Sequence, residues 1–101
     1  MLVFLFTDIE GSSQLWEEHT DAMTGVIARH DEILRQQVEA ARGRITKHTG
    51  DGITAVFQTA GQPLACALET QRRFATEPWG EVEEIRIRAG LHAGEAEFYA
   101  S

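Results

Sequence analysis

Arg44-Ile45-Thr46-Lys47-His48-Thr49-Gly50-Asp51-Gly52-Ile53-Thr54-Ala55-Val56-Phe57 contains two runs rich in β-forming residues, joined by Gly50-Asp51-Gly52. An Asp-Gly pair between such runs signals a hairpin, because a tight turn needs residues that tolerate positive φ. The stretch predicts strands over residues 44–49 and 53–57. Upstream, Met23, Val26, Ile27, Ile33, Leu34, Val38 and Ala41 recur at helical spacing, with Thr20 as the expected N-cap and Gly43 as the expected stop. Before that, Ser12 or Ser13 is placed to cap a short helix through Gln14, Leu15, Trp16 and Glu17. The opening run Leu2-Val3-Phe4-Leu5-Phe6 predicts a central strand buried on both faces.

Downstream of the hairpin, residues 60–77 read as a helix with Pro63 in the first turn and Leu64, Leu68 and Phe74 near one face. Pro78 and Gly80 stop it. Ile85, Ile87, Ala89 and Leu91 then alternate with Arg86, Arg88 and Gly90, which is the period of a strand. The order is βαββαβ, the pattern of an α+β, ferredoxin-like domain: a palm-like antiparallel sheet with helices on one face.

At 101 residues the chain is sized for one domain, and its 43% apolar and 25% charged content is that of an ordinary globular protein. A net charge of -7 argues against nucleic acid and anionic membranes as partners, since both recruit clustered Lys and Arg. No apolar run approaches the ~20 residues of a membrane span, and the apolar start follows Met1 without a basic segment, so a cytoplasmic location is expected. Cys66 has no second cysteine to pair with and reads as a small buried hydrophobe rather than a catalytic thiol.

The chemistry-bearing residues gather at one end of this topology. Asp8 ends the first strand and Asp51 sits in the turn of the adjacent hairpin, so both carboxylates are expected at the same end of the sheet. Two carboxylates in proximity repel unless a proton or a cation lies between them, and oxygen-only donors suit Mg²⁺ or Mn²⁺. The plain alternative makes Asp8 a helix cap and Asp51 an ordinary turn residue. Ile9-Glu10-Gly11-Ser12-Ser13 forms a Gly-containing strand-to-helix turn, whose free N–H groups suit phosphate. It lacks the Gly-Lys-Ser/Thr run of a P-loop.

Phe6-Thr7-Asp8-Ile9-Glu10-Gly11-Ser12 resembles the first metal motif of class III adenylate and guanylate cyclases, and Lys47-His48-Thr49-Gly50-Asp51-Gly52 resembles their second. Arg88-Ala89-Gly90-Leu91-His92-Ala93-Gly94 is similar to the strand that follows, and Leu15-Trp16, Arg29-His30-Asp31 and Pro78-Trp79 keep the register between. The resemblance implies that Asp8, Asp51 and the carbonyl of Ile9 bind two Mg²⁺ or Mn²⁺ ions. It implies a nucleoside triphosphate substrate, ATP before GTP, converted to the 3′,5′-cyclic nucleotide and pyrophosphate in signal transduction. The backbone of Glu10, Gly11, Ser12 and Ser13 would cradle phosphates, Lys47 would read the base, and Arg88 would reach phosphates across a dimer. The plain readings are a solvated Lys47 on an edge strand and a surface Arg88 alternating with core residues. His48 and His92 fit no zinc spacing and read as packing or hydrogen-bonding residues; Trp16 and Trp79 read as core or interface anchors.

The family pattern continues with a second base-reading residue, a helix bearing a transition-state Asn and Arg, and a phosphate-binding lysine. None is found after Arg88 in the sequence, so residues 1–101 are expected to be a cyclase domain truncated at the C-terminus, weak or inactive alone. Apolar surface left open by truncation would favour a homodimer or an exchanged oligomer. The competing reading is a cyclase-homology module that binds metal–nucleotide or a protein partner without chemistry. A diguanylate cyclase is disfavoured because Gly50-Asp51-Gly52 stands where its Gly-Gly-Asp/Glu-Glu-Phe turn belongs.

Overall fold

The computed structural model describes residues 1–94. Strand β1 (Leu2–Ile9) leads into helices α1 (Ser12–Glu18) and α2 (Thr20–Ala40), then strands β2 (Gly43–His48) and β3 (Gly52–Phe57), helix α3 (Pro63–Thr76), a 3₁₀ turn (Gly80–Val82) and strand β4 (Ile87–Gly94). The four strands form one sheet in the order β2-β3-β1-β4, with every neighbouring pair antiparallel. This is the βαββαβ, α+β arrangement expected from the hairpin and its flanks.

Alternation along the strands divides the sheet into two faces. Leu5, Ile9, Ile53, Ala55 and Phe57 are buried against Met23, Val26, Ile33, Leu34 and Val38 of α2 and Cys66 and Phe74 of α3. The register sets Phe6 opposite Thr54 and Gly90, and Asp8 opposite Gly52 and Arg88, so these residues share the other face. β1 is central, as expected, but it is not buried on both faces: Phe6 is 48% exposed. The helices cover one side only, and a strand with one open face alternates rather than staying apolar throughout.

Local details also differ from the sequence reading. The residue before α1 is Gly11, in the left-handed region at φ 68°, and no serine side chain caps the helix. Thr20 begins α2 without capping it; its hydroxyl donates back to the carbonyl of Trp16 at 2.6 Å. At the other end of α2 Arg42, not Gly43, takes the positive φ, while Gly43 starts β2 under the ring of Phe57. On α3 the buried stripe is Cys66, Thr70 and Phe74, spaced by one helical turn; Leu64 and Leu68 lie on another face and are exposed. Trp79 is buried, and its indole N–H donates to the Phe74 carbonyl at 3.0 Å, satisfying a group that the helix end leaves unpaired. Trp16, by contrast, is exposed.

Candidate functional site

Gly52 is the residue that brings the hairpin turn against β1. It pairs with Asp8, and a Cβ there would lie 1.7 Å from the Thr7 carbonyl oxygen. Only glycine permits so close an approach of two backbones. The consequence is that Asp51, one residue earlier, lies beside the end of β1 that carries Asp8. Within the turn the Thr49 N–H donates to the Gly52 carbonyl at 3.0 Å, and the Thr49 hydroxyl reaches Asp51 Oδ1 at 3.5 Å.

Asp8 is not solitary. Arg88 stands directly opposite it on β4 and forks onto the carboxylate, Nε to Oδ1 at 2.7 Å and Nη2 to Oδ2 at 2.8 Å. These charge-assisted bonds hold the Asp8 carboxyl below the usual carboxylate range, against a smaller opposing effect of burial. The same bonds hold the guanidinium firmly charged, and Glu10 and Asp51 add their attraction to that of Asp8. One arginine thus lies within the field of three carboxylates. Arg86, two residues earlier, is set apart: it precedes β4, pairs with Glu84 at 3.3 Å, and its carbonyl accepts the Glu10 N–H at 2.8 Å.

Lys47 reaches the open face through an irregularity. Ile45 pairs with Ala55, but Lys47 pairs with Thr54, so one extra residue, Thr46, is inserted in β2. Strict alternation would return Lys47 to the face of Ile45. The bulge shifts it instead to the face of Thr54, Phe6 and Asp8. Ile9 turns its side chain into the core and leaves only its backbone near the site. Glu10, Gly11 and Ser13 are exposed and Ser12 half-buried at the start of α1. The structure therefore joins Asp8 to Arg88 and sets the turn that carries Asp51 at the same end of the sheet, with Lys47 farther along the same face and the turn of Glu10, Gly11, Ser12 and Ser13 beyond the end of β1.

His48 and His92, expected to pack or to bond, are exposed. The buried histidine is His30, fully enclosed in the core. Its Nδ1 lies 2.8 Å from Asp31 Oδ1, its ring meets Phe74 edge-on at 5.6 Å, and Nε2 has no protein partner. Burial drives its pKa down, opposed by the Asp31 bond and by the charges of Asp31 and Asp51. The sequence does hold the signal: His30 falls in the helical stripe between Val26 and Ile33.

Among the described residues no three His, Cys, Asp or Glu side chains form a metal-binding group; the present pair supplies two carboxylates. A cavity of about 560 Å³ beside α1 shares Glu10 with this region, but Glu18, Glu81, Glu83 and Glu84 also line it, and that wall repels a polyanion. The open face suits a charged ligand better. No helix is long and apolar enough to cross a membrane among the described residues.

Comparison with known proteins agrees with the motifs. No protein-family model matches the chain. An adenylate cyclase of Schizosaccharomyces pombe is 35% identical over 92 residues, covering 89% of this chain, which spans 5% of that protein. The structure of an adenylate cyclase from Trypanosoma brucei, described in its monomeric state, superposes with a TM-score of 0.80 at 23% identity over 90% of this chain and 54% of that one. The GGEEF domain of a diguanylate cyclase from Vibrio cholerae shares the fold at a TM-score of 0.75 and 18% identity, covering 95% of this chain and 65% of that one. The fold alone therefore spans both cyclase types. The chain is a homologue of class III adenylate and guanylate cyclase domains, and it covers part of such a domain.

Proposed function

We propose that the open end of the sheet binds a nucleoside triphosphate with two divalent metal ions, and that residues 1–101 are part of a nucleotidyl cyclase domain, adenylate before guanylate. The observation that carries this is the pairing of Gly52 with Asp8, which sets two carboxylates and one guanidinium at one exposed end of the sheet. The donors are oxygens only, the set that Mg²⁺ and Mn²⁺ prefer. That a cationic group already sits on both oxygens of Asp8 agrees with a place that demands positive charge.

The reaction joins the ribose 3′-oxygen to the α-phosphorus as the 3′-hydroxyl proton is lost to water, the α–β bridging bond breaks and pyrophosphate leaves. Bound divalent ions supply neutralisation of the triphosphate and polarisation of the 3′-hydroxyl. Asp8, Asp51 and the Ile9 carbonyl would hold those ions, Arg88 and the backbone of Glu10, Gly11, Ser12 and Ser13 would engage phosphates, and Lys47 would read a base edge.

Thermal melting with Mn²⁺ and ATP tests the reading. The ligands are expected to raise the melting temperature together, and Asp51→Ala to abolish the rise. No shift in the unaltered chain would overturn the metal site. A shift without any cyclic nucleotide favours the non-catalytic module, and turnover to a cyclic nucleotide favours the enzyme.

A further inference from the structure

Arg88 occupies both oxygens of Asp8, the carboxylate that the proposed function gives to metal. A guanidinium fork and a divalent ion cannot share those oxygens at full strength. We propose that Arg88 is an internal counter-ion that closes the Asp8 half of the site until a triphosphate draws it away, so that metal and nucleotide bind as a coupled pair. This inference rests on the metal–triphosphate reading and adds to it an energetic link between the two ligands.

Three observations support the exchange. Asp8 and Arg88 face each other across β1 and β4, so a side-chain rotation opens the pair and no backbone need move. The pair lies at the surface, with the Arg88 side chain 67% exposed and that of Asp8 41% exposed, and exposed ion pairs are weak enough to be displaced. Finally, Asp8, Glu10 and Asp51 all attract the same guanidinium, so a metal ion arriving alone meets a positive charge already in their midst. Phosphate oxygens offer the fork an acceptor of the same geometry as a carboxylate. Nucleotide binding then releases Asp8 to the metal, and by linkage metal binding releases Arg88 to the nucleotide.

The test is calorimetric titration of the 101-residue chain with Mn²⁺, alone and with a non-hydrolysable ATP analogue. Arg88→Gln is expected to bind Mn²⁺ alone several-fold more tightly than the unaltered chain. It is also expected to lose most of the extra Mn²⁺ affinity that the analogue confers. Arg88→Lys, which keeps the charge without the fork, should fall between the two, and it serves if the glutamine variant fails to fold by circular dichroism. If Arg88→Gln and Arg88→Lys bind Mn²⁺ no more tightly than the unaltered chain while Asp51→Ala abolishes binding, the metal reading stands and the counter-ion role is wrong. If Asp51→Ala changes nothing with or without the analogue, the metal reading fails and the coupling falls with it.

Discussion

Phe57 and Phe6 lie on adjacent strands of one sheet, on opposite faces, and their surroundings differ in every respect. Phe57 is fully buried, packed over Gly43 and against Gly61 beneath the helices. Phe6 is 48% exposed and touches only the neighbouring ring of Phe4, 6.4 Å away, among the aromatics. The helix-covered face holds the fold through apolar contact, whereas the open face carries Asp8, Lys47 and Arg88. The lesson is that period-two alternation lets one strand serve both tasks: Leu5, Thr7 and Ile9 face inward while Phe6 and Asp8 face outward. Substitutions on one face should leave the other's property intact.

The largest effect is expected from Phe57→Ala. Emptying a fully buried aromatic position costs about 3–5 kcal/mol, so chemical denaturation should show a large loss of stability. A loss below about 1 kcal/mol would mean that the core is not close-packed around this ring.

Gly52→Ala joins the two faces and should come next. Its new methyl group would meet the Thr7 carbonyl backbone, so β1 and β3 must separate next to Asp8 and Asp51. Overpacking of this kind costs about 1–3 kcal/mol. The melting-temperature rise with Mn²⁺ and ATP should disappear as well. Retention of that rise would show that the metal response does not depend on the close approach of the hairpin.

That dependence marks the limit of what the sequence reveals. The hairpin, the long helix and the strand order are legible because alternation, helical spacing and the Gly50-Asp51-Gly52 turn are local signals. That Asp8 and the turn holding Asp51 share one end of the sheet follows from topology once those elements are placed. The partner of Asp8 does not: Arg88 is 80 residues away and is chosen by register across β4. Nor does alternation reveal the bulge at Thr46, since an inserted residue is visible only against its partner strand. Leu64 and Leu68 mislead for a related reason, because helical spacing identifies a stripe but not which stripe faces the sheet.

Acid should weaken the covered face before it affects the open one, by a smaller amount. His30 is held neutral, its pKa depressed by burial below the ordinary value of 6.5. The unfolded chain therefore takes up the proton first. The stability this group contributes is complete above that ordinary value and is lost as pH falls through the depressed folded value. Asp31 and Asp51 oppose the depression, and His48 adds to it. Melting curves between pH 7.5 and 5 (a range of about one unit or more around the ordinary value) should show a decline that flattens in His30→Gln. An equal decline in the variant would assign the sensitivity to other groups.

The smallest effect is expected from Phe6→Ser, and it tests whether the open face is open in solution. In the isolated chain a half-exposed ring loses little burial on truncation, so the cost should stay near or below about 1 kcal/mol. The apolar rings of Phe4 and Phe6 nevertheless lie on the same face as Asp8, where a second copy of the chain would cover them in a dimer. If Phe6→Ser costs nearly as much as Phe57→Ala, and that cost falls away on dilution, the face is covered by association. If the cost is small at every concentration, Phe6 is exposed to water in the working molecule, and the contrast between the two phenylalanines is a property of the single chain.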